Sequence, residues 1–175
     1  MLYCDPKGVI TMPMDGIPQP EIIDVNEAIR LRKYDGMHGF AFEWYQDTET
    51  VYLVDGVREP YSHETLDAMY HYLDQRGEMY FIEQRRGDVF VPIGDVCFSD
   101  QDMPIVIGDR TCRGQGIGKQ VVSALIARGK SLGFSALRVR EIYRWNEDSR
   151  RLFEGLGFTA DGETEHGNSY TLSLV

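Results

Sequence analysis

Residues 113–119 read Arg113-Gly114-Gln115-Gly116-Ile117-Gly118-Lys119. An apolar run, Met103-Pro104-Ile105-Val106-Ile107, precedes them, and a long amphipathic segment opens near Gln120. A strand that turns through glycines into a helix start constrains the fold more than any other stretch of this chain. The first N–H groups of a helix have no intrahelical partner, and the macrodipole adds positive potential there. Glycine reaches dihedrals closed to other residues and lets an anion approach the backbone. The segment is expected to hold a phosphate. A tight strand-to-helix connection is the alternative that the spacing leaves open.

Two familiar phosphate motifs fail. G-x-G-x-x-G needs glycine at 119, where Lys119 stands. G-x-x-x-x-G-K-[ST] needs glycine at 113 and a hydroxyl at 120, and these are Arg113 and Gln120. What remains is R-x-x-G-x-G, formed by Arg113, Gly116 and Gly118. A second pattern lies downstream: Asn146-Glu147-Asp148-Ser149-Arg150-Arg151-Leu152-Phe153-Glu154-Gly155-Leu156-Gly157-Phe158. It follows an apolar segment from Ala136 to Tyr143.

Together these stretches resemble the two signatures of the GNAT superfamily of acyl-CoA N-acyltransferases, R-x-x-G-x-G and N-x-x-[AS]-x-x-[LI]-[YF]-E-x-x-G-F. They stand in the family's order and at about its distance. The resemblance covers residues 78–175 well and 20–77 more loosely. The looser part is similar to the helical insert of members that acetylate ribosomal-protein alanine termini or aminoglycosides. Trp44-Tyr45-Gln46-Asp47 and Pro60-Tyr61-Ser62-His63-Glu64 carry that likeness. Their aromatics either wall an acceptor pocket or simply fill the core.

The resemblance implies a single α/β (α+β) domain over residues 21–175. Its sheet would be mixed, mostly antiparallel, of about seven strands flanked by helices, with two central parallel strands splayed for acetyl-CoA. Residues 1–20, with four of the seven prolines, read as an irregular arm or a short edge hairpin.

Periodicity fills in the elements. Residues 21–34 suit a first strand, and Gly39 to Leu53 turns helical. Ser62 can cap a helix whose buried face is Leu66, Met69, Tyr70 and Leu73, ending at Gly77. Met79–Glu83 is the second strand, Arg86-Gly87-Asp88 a hairpin turn, and Asp88–Ser99 the third strand. The apolar parity of the third strand breaks at Gly94-Asp95, as at a bulge. The 103–107 run is the fourth strand, followed by a helix from Gly116 to Leu132 burying Val121, Val122, Leu125 and Ile126, with Gly133 as cap. Residues 136–143 form the fifth strand and Ser149–Leu156 a helix. Two last strands lie near Phe158–Thr164 and Ser169–Leu174.

Length and composition agree with one globular domain: 175 residues, 42% hydrophobic and 26% charged. No apolar run approaches the roughly 18 residues of a membrane span. Met1 to Lys7 lack the pattern of a signal peptide. Cys4, Cys97 and Cys112 are odd in number and widely spaced, which suits a reducing, cytoplasmic setting. Cys112 abuts the glycine loop; it is either a thiol of lowered pKa or a small residue filling a turn. A net charge of −10 argues against nucleic acid and permits a cationic acceptor, though acidity for solubility alone is the alternative. The expected partners are acetyl-CoA and an amine acceptor, with no nucleic acid and no membrane; a homodimer is compatible with the resemblance.

By that resemblance the activity is N-acetyl transfer from acetyl-CoA to a primary amine of a small molecule, an aminoglycoside-like compound or a protein N-terminus, by direct attack. A non-catalytic acyl-CoA-binding sensor or interaction module is the other reading. Carried over residue by residue, the thioester arm pairs with the open edge of Ile105, Val106 and Ile107. The amides of Arg113, Gly114, Gln115, Gly116, Ile117 and Gly118 take the pyrophosphate, with charge from Arg113 and Lys119. Asn146 contacts the pantetheine arm or caps the next helix. A strand amide near Ile107 can polarise the thioester carbonyl. Phe153 occupies the position where many relatives carry a tyrosine that protonates the leaving thiolate, so the usual general acid is missing.

Glu141 and Tyr143, at the end of the fifth strand, are the candidates for proton transfer. A half-buried Glu141 would have a raised pKa and act as base; alternatively it pairs with Arg138, Arg140 or Arg144. Asp95 and Glu83 are weaker candidates. His38, His63, His71 and His166 have no metal-ligand spacing, and no metal is expected.

Overall fold

The computed structural model describes Met14 and residues 16–175. Strands β1 (Ile22–Asp24) and β2 (Ile29–Lys33) form an antiparallel hairpin. A single strand over 21–34 was expected; Asn26 breaks it. Its Oδ1 accepts from the amides of Ala28 and Ile29 at 2.8 and 2.9 Å, a local turn of the kind Asn favours. The expected helix from Gly39 is likewise divided. A 3-10 helix over Gly39–Gln46 gives way to α1 (Thr48–Asp55), whose N-cap is Asp47. Asp47 accepts from the amides of Glu49 and Thr50 and so starts a new helix rather than continuing the old one. Helix α2 (His63–Asp74) is capped by Ser62, as its sequence requires.

Strands β3 (Glu78–Arg86) and β4 (Val89–Phe98) form the longest hairpin, followed by β5 (Ile105–Ile107). The bulge lies at Ile93, one residue before the expected place: Ile82 faces Gly94, but Glu83 faces Pro92. The extra residue turns Ile93 to the same side as Val96 and Phe98, and all three join one core. The opposite side of the hairpin carries Met79, Phe81 and Cys97 into a second core beneath α2 and the 3-10 helix. Helix α3 (Ile117–Ser131), β6 (Ala136–Tyr143), α4 (Glu147–Glu154), β7 (Thr159–Glu163) and β8 (Gly167–Ser173) complete the chain.

In place of one sheet of about seven strands, the described residues form two. One has the order β1-β2-β3-β4-β5 and the other β6-β8-β7, every pairing antiparallel. The expected parallel pair is present in direction and absent as a ladder. The Arg138 amide donates to Asp100 O at 3.1 Å and the Arg140 amide to Asp102 Oδ1 at 3.0 Å. The two segments therefore advance together, and beyond Asp102 they part. Gly94 lets β4 and β5 approach closely: a Cβ there would fall 2.2 Å from Val106 O. Of the N-terminal arm, residues 1–13 and 15 lie outside the described residues. Ile17 packs against the main core, and Gln19 Nε2 donates to Met79 O at 2.9 Å.

Candidate acetyl-transfer site

The gap between β5 and β6 opens into two adjoining cavities of about 600 and about 380 Å³. Leu53, Val54, Ile105, Val106, Asn146 and Ser149 line both, so the two form one groove. Its floor is the edge of β5, which among the described residues pairs only with β4. Its roof is α1.

The smaller cavity contains the glycine loop. Gly114 and Gly116 sit at φ 71° and 75°, and a Cβ on either would project into open space. Gly116 is the N-cap of the 15-residue helix α3 and has no side chain to satisfy the first amides. They remain available to an anion, with the dipole behind them. Ile107, Ile117, Gly118 and Lys119 line this cavity too, and among the described residues no carboxylate pairs with Lys119. Gln115 does not line it; its side-chain amide donates to Thr111 O at 2.7 Å. Cys112 is buried in the wall, between Arg86 and Gln84, as a turn-filling residue.

Arg113 also lines this cavity, but its amide, expected to take pyrophosphate, donates to Arg110 O at 3.3 Å. Its Nε donates to Ile107 O and its Nη2 to Thr50 Oγ1, both at 2.8 Å. Asn146 caps α4, its Oδ1 accepting from the Ser149 amide, and the residue lines the groove. Its Nδ2 also donates to Leu53 O.

The larger cavity brings together Phe153, Glu141 and Tyr143. The raised pKa expected for Glu141 is overturned. Burial alone would raise it, but hydrogen bonds from Thr164 Oγ1 (2.5 Å) and the His166 amide (3.0 Å), with His166 and Arg144 nearby, bring the carboxyl below its ordinary value. Those partners, not Arg138, Arg140 or Arg144, occupy Glu141, and they fasten the β7–β8 turn to β6. Tyr143 lies half-buried, stacked on Trp145 at 4.8 Å. Burial, then the charges of Asp55 and Glu141, raise its pKa. Its hydroxyl has no hydrogen-bond partner among the described residues.

Neither weaker candidate lines the groove. Glu83 is gripped by Arg30 and Arg32, each at 2.7 Å. Asp95 sits in the second core and accepts from Tyr45 and Tyr70. Of the insert aromatics, Tyr45 and Tyr61 are core residues; Tyr61 also reaches Asp55 Oδ2 with its hydroxyl at 2.6 Å. Sequence reasoning missed Asp55, Thr50 and Asp102 on the groove walls. The Asp47-Thr48-Glu49-Thr50 cap pattern could have placed Thr50 at a helix start. Among the described residues no group of three His, Cys, Asp or Glu is arranged to hold a metal ion, and no helix is long and apolar enough to cross a membrane.

A split two-sheet α/β fold, with an uncapped helix start behind the glycine loop at one end of the gap, frames the groove. The chain belongs to the acetyltransferase (GNAT) family, whose model matches residues 40–158. It is thus an acyl-CoA-dependent N-acetyltransferase with acetyl-CoA as co-substrate. A domain from Methanocaldococcus jannaschii DSM 2661 shares the fold with a TM-score of 0.71 and 22% identity, over 83% of this chain and 98% of that one. A GNAT-family acetyltransferase from Bacillus anthracis follows at 0.69 and 14%, covering 87% and 98%. An acetyl transferase from Salmonella typhimurium that modifies the N-terminal serine of ribosomal protein L7/L12 aligns at 0.67 and 22%, covering 89% and 100%. A search of curated protein sequences finds no match.

Proposed function

We propose that acetyl-CoA lies along the groove with its pyrophosphate on the amides of residues 114–118 and its thioester at the parting of β5 and β6. A primary amine then enters through the larger cavity and attacks directly. The observation that carries this reading is the continuity of the two cavities past Ile105 and Val106, because donor and acceptor must meet without a covalent relay.

An amine near pKa 10 arrives mostly protonated at neutral pH. The larger cavity suits such a cation: Asp55, Asp102, Glu141 and Glu165 line it against Arg140 alone. Tyr143 is the hydroxyl placed to protonate the leaving thiolate, in the absence of a tyrosine at 153. The similarity to the L7/L12-modifying enzyme makes a protein N-terminus one acceptor to test beside aminoglycosides and polyamines. The described cysteines, Cys97 and Cys112, are free, which supports a reducing, cytoplasmic setting.

The test has two arms. CoA should raise the melting temperature by mass action, and Gly116→Asp, which puts a side chain and a negative charge into the phosphate path, should fold and lose that shift. Thiol release from acetyl-CoA, measured across the amine panel, then identifies the acceptor. Undiminished CoA binding by folded Gly116→Asp would remove the loop from the site.

A further inference from the structure

The guanidinium of Arg113 is committed to protein oxygens. Besides the bonds to Ile107 O and Thr50 Oγ1, its Nη1 stands 4.0 Å from Asp47 Oδ2. Thr50 is 2% exposed, and its hydroxyl donates to the same Asp47 oxygen at 2.6 Å. Arg110, one helical turn earlier in the loop, reaches Asp47 Oδ1 at 3.4 Å. The phosphate loop, the last carbonyl of β5 and the first turn of α1 are therefore one hydrogen-bonded unit.

The far end of α1 is held from the other sheet. Trp145 Nε1 donates to Tyr52 O at 3.1 Å and Asn146 Nδ2 to Leu53 O at 3.2 Å, both from the turn after β6. Helix α1 thus bridges the gap where β5 and β6 part. Its residues Thr50, Leu53 and Val54 line the phosphate end of the groove, and Leu53, Val54 and Asp55 line the acceptor end. Turning Arg113 toward a pyrophosphate would unmake its bonds to a buried hydroxyl and to a strand-end carbonyl. Lys119 and the free amides can meet the anion without that loss.

We propose that Arg113 is a positioning residue and not a phosphate ligand: it locks the first turn of α1 to the phosphate loop, so that occupying the loop also sets the acceptor wall. The proposal rests on the groove reading above. An anion that orders residues 113–119 orders Arg113 with them, and α1 follows through Thr50. Coupling of this kind is reciprocal, so an acceptor should bind the CoA-loaded enzyme more tightly than the free one.

Hydrogen exchange with CoA as the probe separates the possibilities, with CoA affinity measured by calorimetry. In the wild type, CoA should slow exchange both at the loop amides of 114–119 and at Val51 to Asp55. Thr50→Val keeps the side-chain volume and leaves the loop sequence intact. It should keep the loop protection, while α1 protection falls by about tenfold, the usual scale of coupling between sites. Arg113→Lys keeps the charge and loses the fork, so it should give the same pattern; Thr50→Ser keeps the hydroxyl and should behave as wild type. The double variant Thr50→Val/Arg113→Lys should be no worse than either single one, because both cut the same link.

Wild-type α1 protection in either folded single variant overturns the proposal. So does a tenfold or greater loss of CoA affinity in Arg113→Lys that Thr50→Val does not share, which would make Arg113 a phosphate ligand. Should Thr50→Val not fold, Arg113→Lys alone decides by the same two readouts. If CoA leaves the loop amides of the wild type unprotected, the groove reading itself falls and takes the proposal with it.

Discussion

The Tyr70 hydroxyl donates to Asp95 Oδ2 at 2.7 Å, and the Tyr45 hydroxyl reaches the same oxygen at 2.9 Å. The carboxyl lies in the second core, 3% exposed. Burial pushes its pKa up to about 6, with the two hydroxyls pulling the other way. Between the ordinary value of 3.8 and that point, the folded chain keeps a proton that the unfolded chain releases. The folded state binds more protons there, so stability falls as pH rises through the window. The contribution is fully present below about pH 4 and lost above about pH 6. Asp95→Asn keeps an acceptor for the tyrosines and removes the titration. The difference between wild-type and Asp95→Asn melting temperatures, followed from pH 4 to 7, should drift in favour of Asn as pH rises. A flat difference would show that Asp95 does not titrate in this range.

Glu78 is 1% exposed and is gripped by both nitrogens of the Arg128 fork, Nε at 2.6 Å and Nη2, with the Tyr80 hydroxyl at 2.8 Å. Removing the cation leaves a buried carboxylate with one neutral donor. Arg128→Met should cost about 3–5 kcal/mol, the scale for breaking a buried pair by removing one partner. In a chain of this size that lowers Tm by about 10 °C. Exchanging both partners for apolar residues of similar volume should cost much less. Thermal melts of the single and double variants check both statements.

Where the chain could be read alone, the reason was local. Arg113, Gly116 and Gly118 mark the turn into α3 because their chemistry acts within one turn, and Ser62 caps α2 from three residues away. The breaks at Asn26 and Asp47 were legible in principle, as turn and cap residues inside otherwise periodic runs. What failed was long-range. Arg113 finds Thr50 sixty-three residues away and Glu141 finds Thr164 twenty-three away; no periodicity encodes either pair. The division into two sheets had the same origin. An apolar β5 and an apolar β6 look like neighbours in a ladder, yet among the described residues the backbone of the two segments is joined only as far as the Arg140 amide on the Asp102 carboxylate.

Glu141 supplies a third prediction. With its pKa below the ordinary value, the carboxyl stays ionised from pH 6 to 9 and contributes no inflection to a rate profile there. Glu141→Gln should therefore change kcat/KM by a similar factor at every pH in that range. Glu141→Ala, which also removes the acceptor for the Thr164 hydroxyl and the His166 amide, should speed hydrogen exchange in the 164–167 turn. A loss confined to low pH in Glu141→Gln would restore the general-base role.

Phe153 and Tyr143 line the same cavity, and only one of them carries a hydroxyl. The raised pKa of Tyr143 keeps that hydroxyl protonated across the working range, which suits a donor to a departing thiolate. Tyr143→Phe should lower kcat by roughly 100-fold, the ordinary scale of general acid catalysis, with little change in the KM for acetyl-CoA. Phe153→Tyr alone should change kcat by no more than about threefold, because a donor is already present. In the Tyr143→Phe background the same substitution should recover about tenfold, since it returns a hydroxyl to the same cavity. Steady-state kinetics of the three variants from pH 6 to 9 make the comparison. Wild-type rates in Tyr143→Phe would leave solvent as the proton source, and a large gain from Phe153→Tyr alone would mean that thiolate protonation limits the native enzyme.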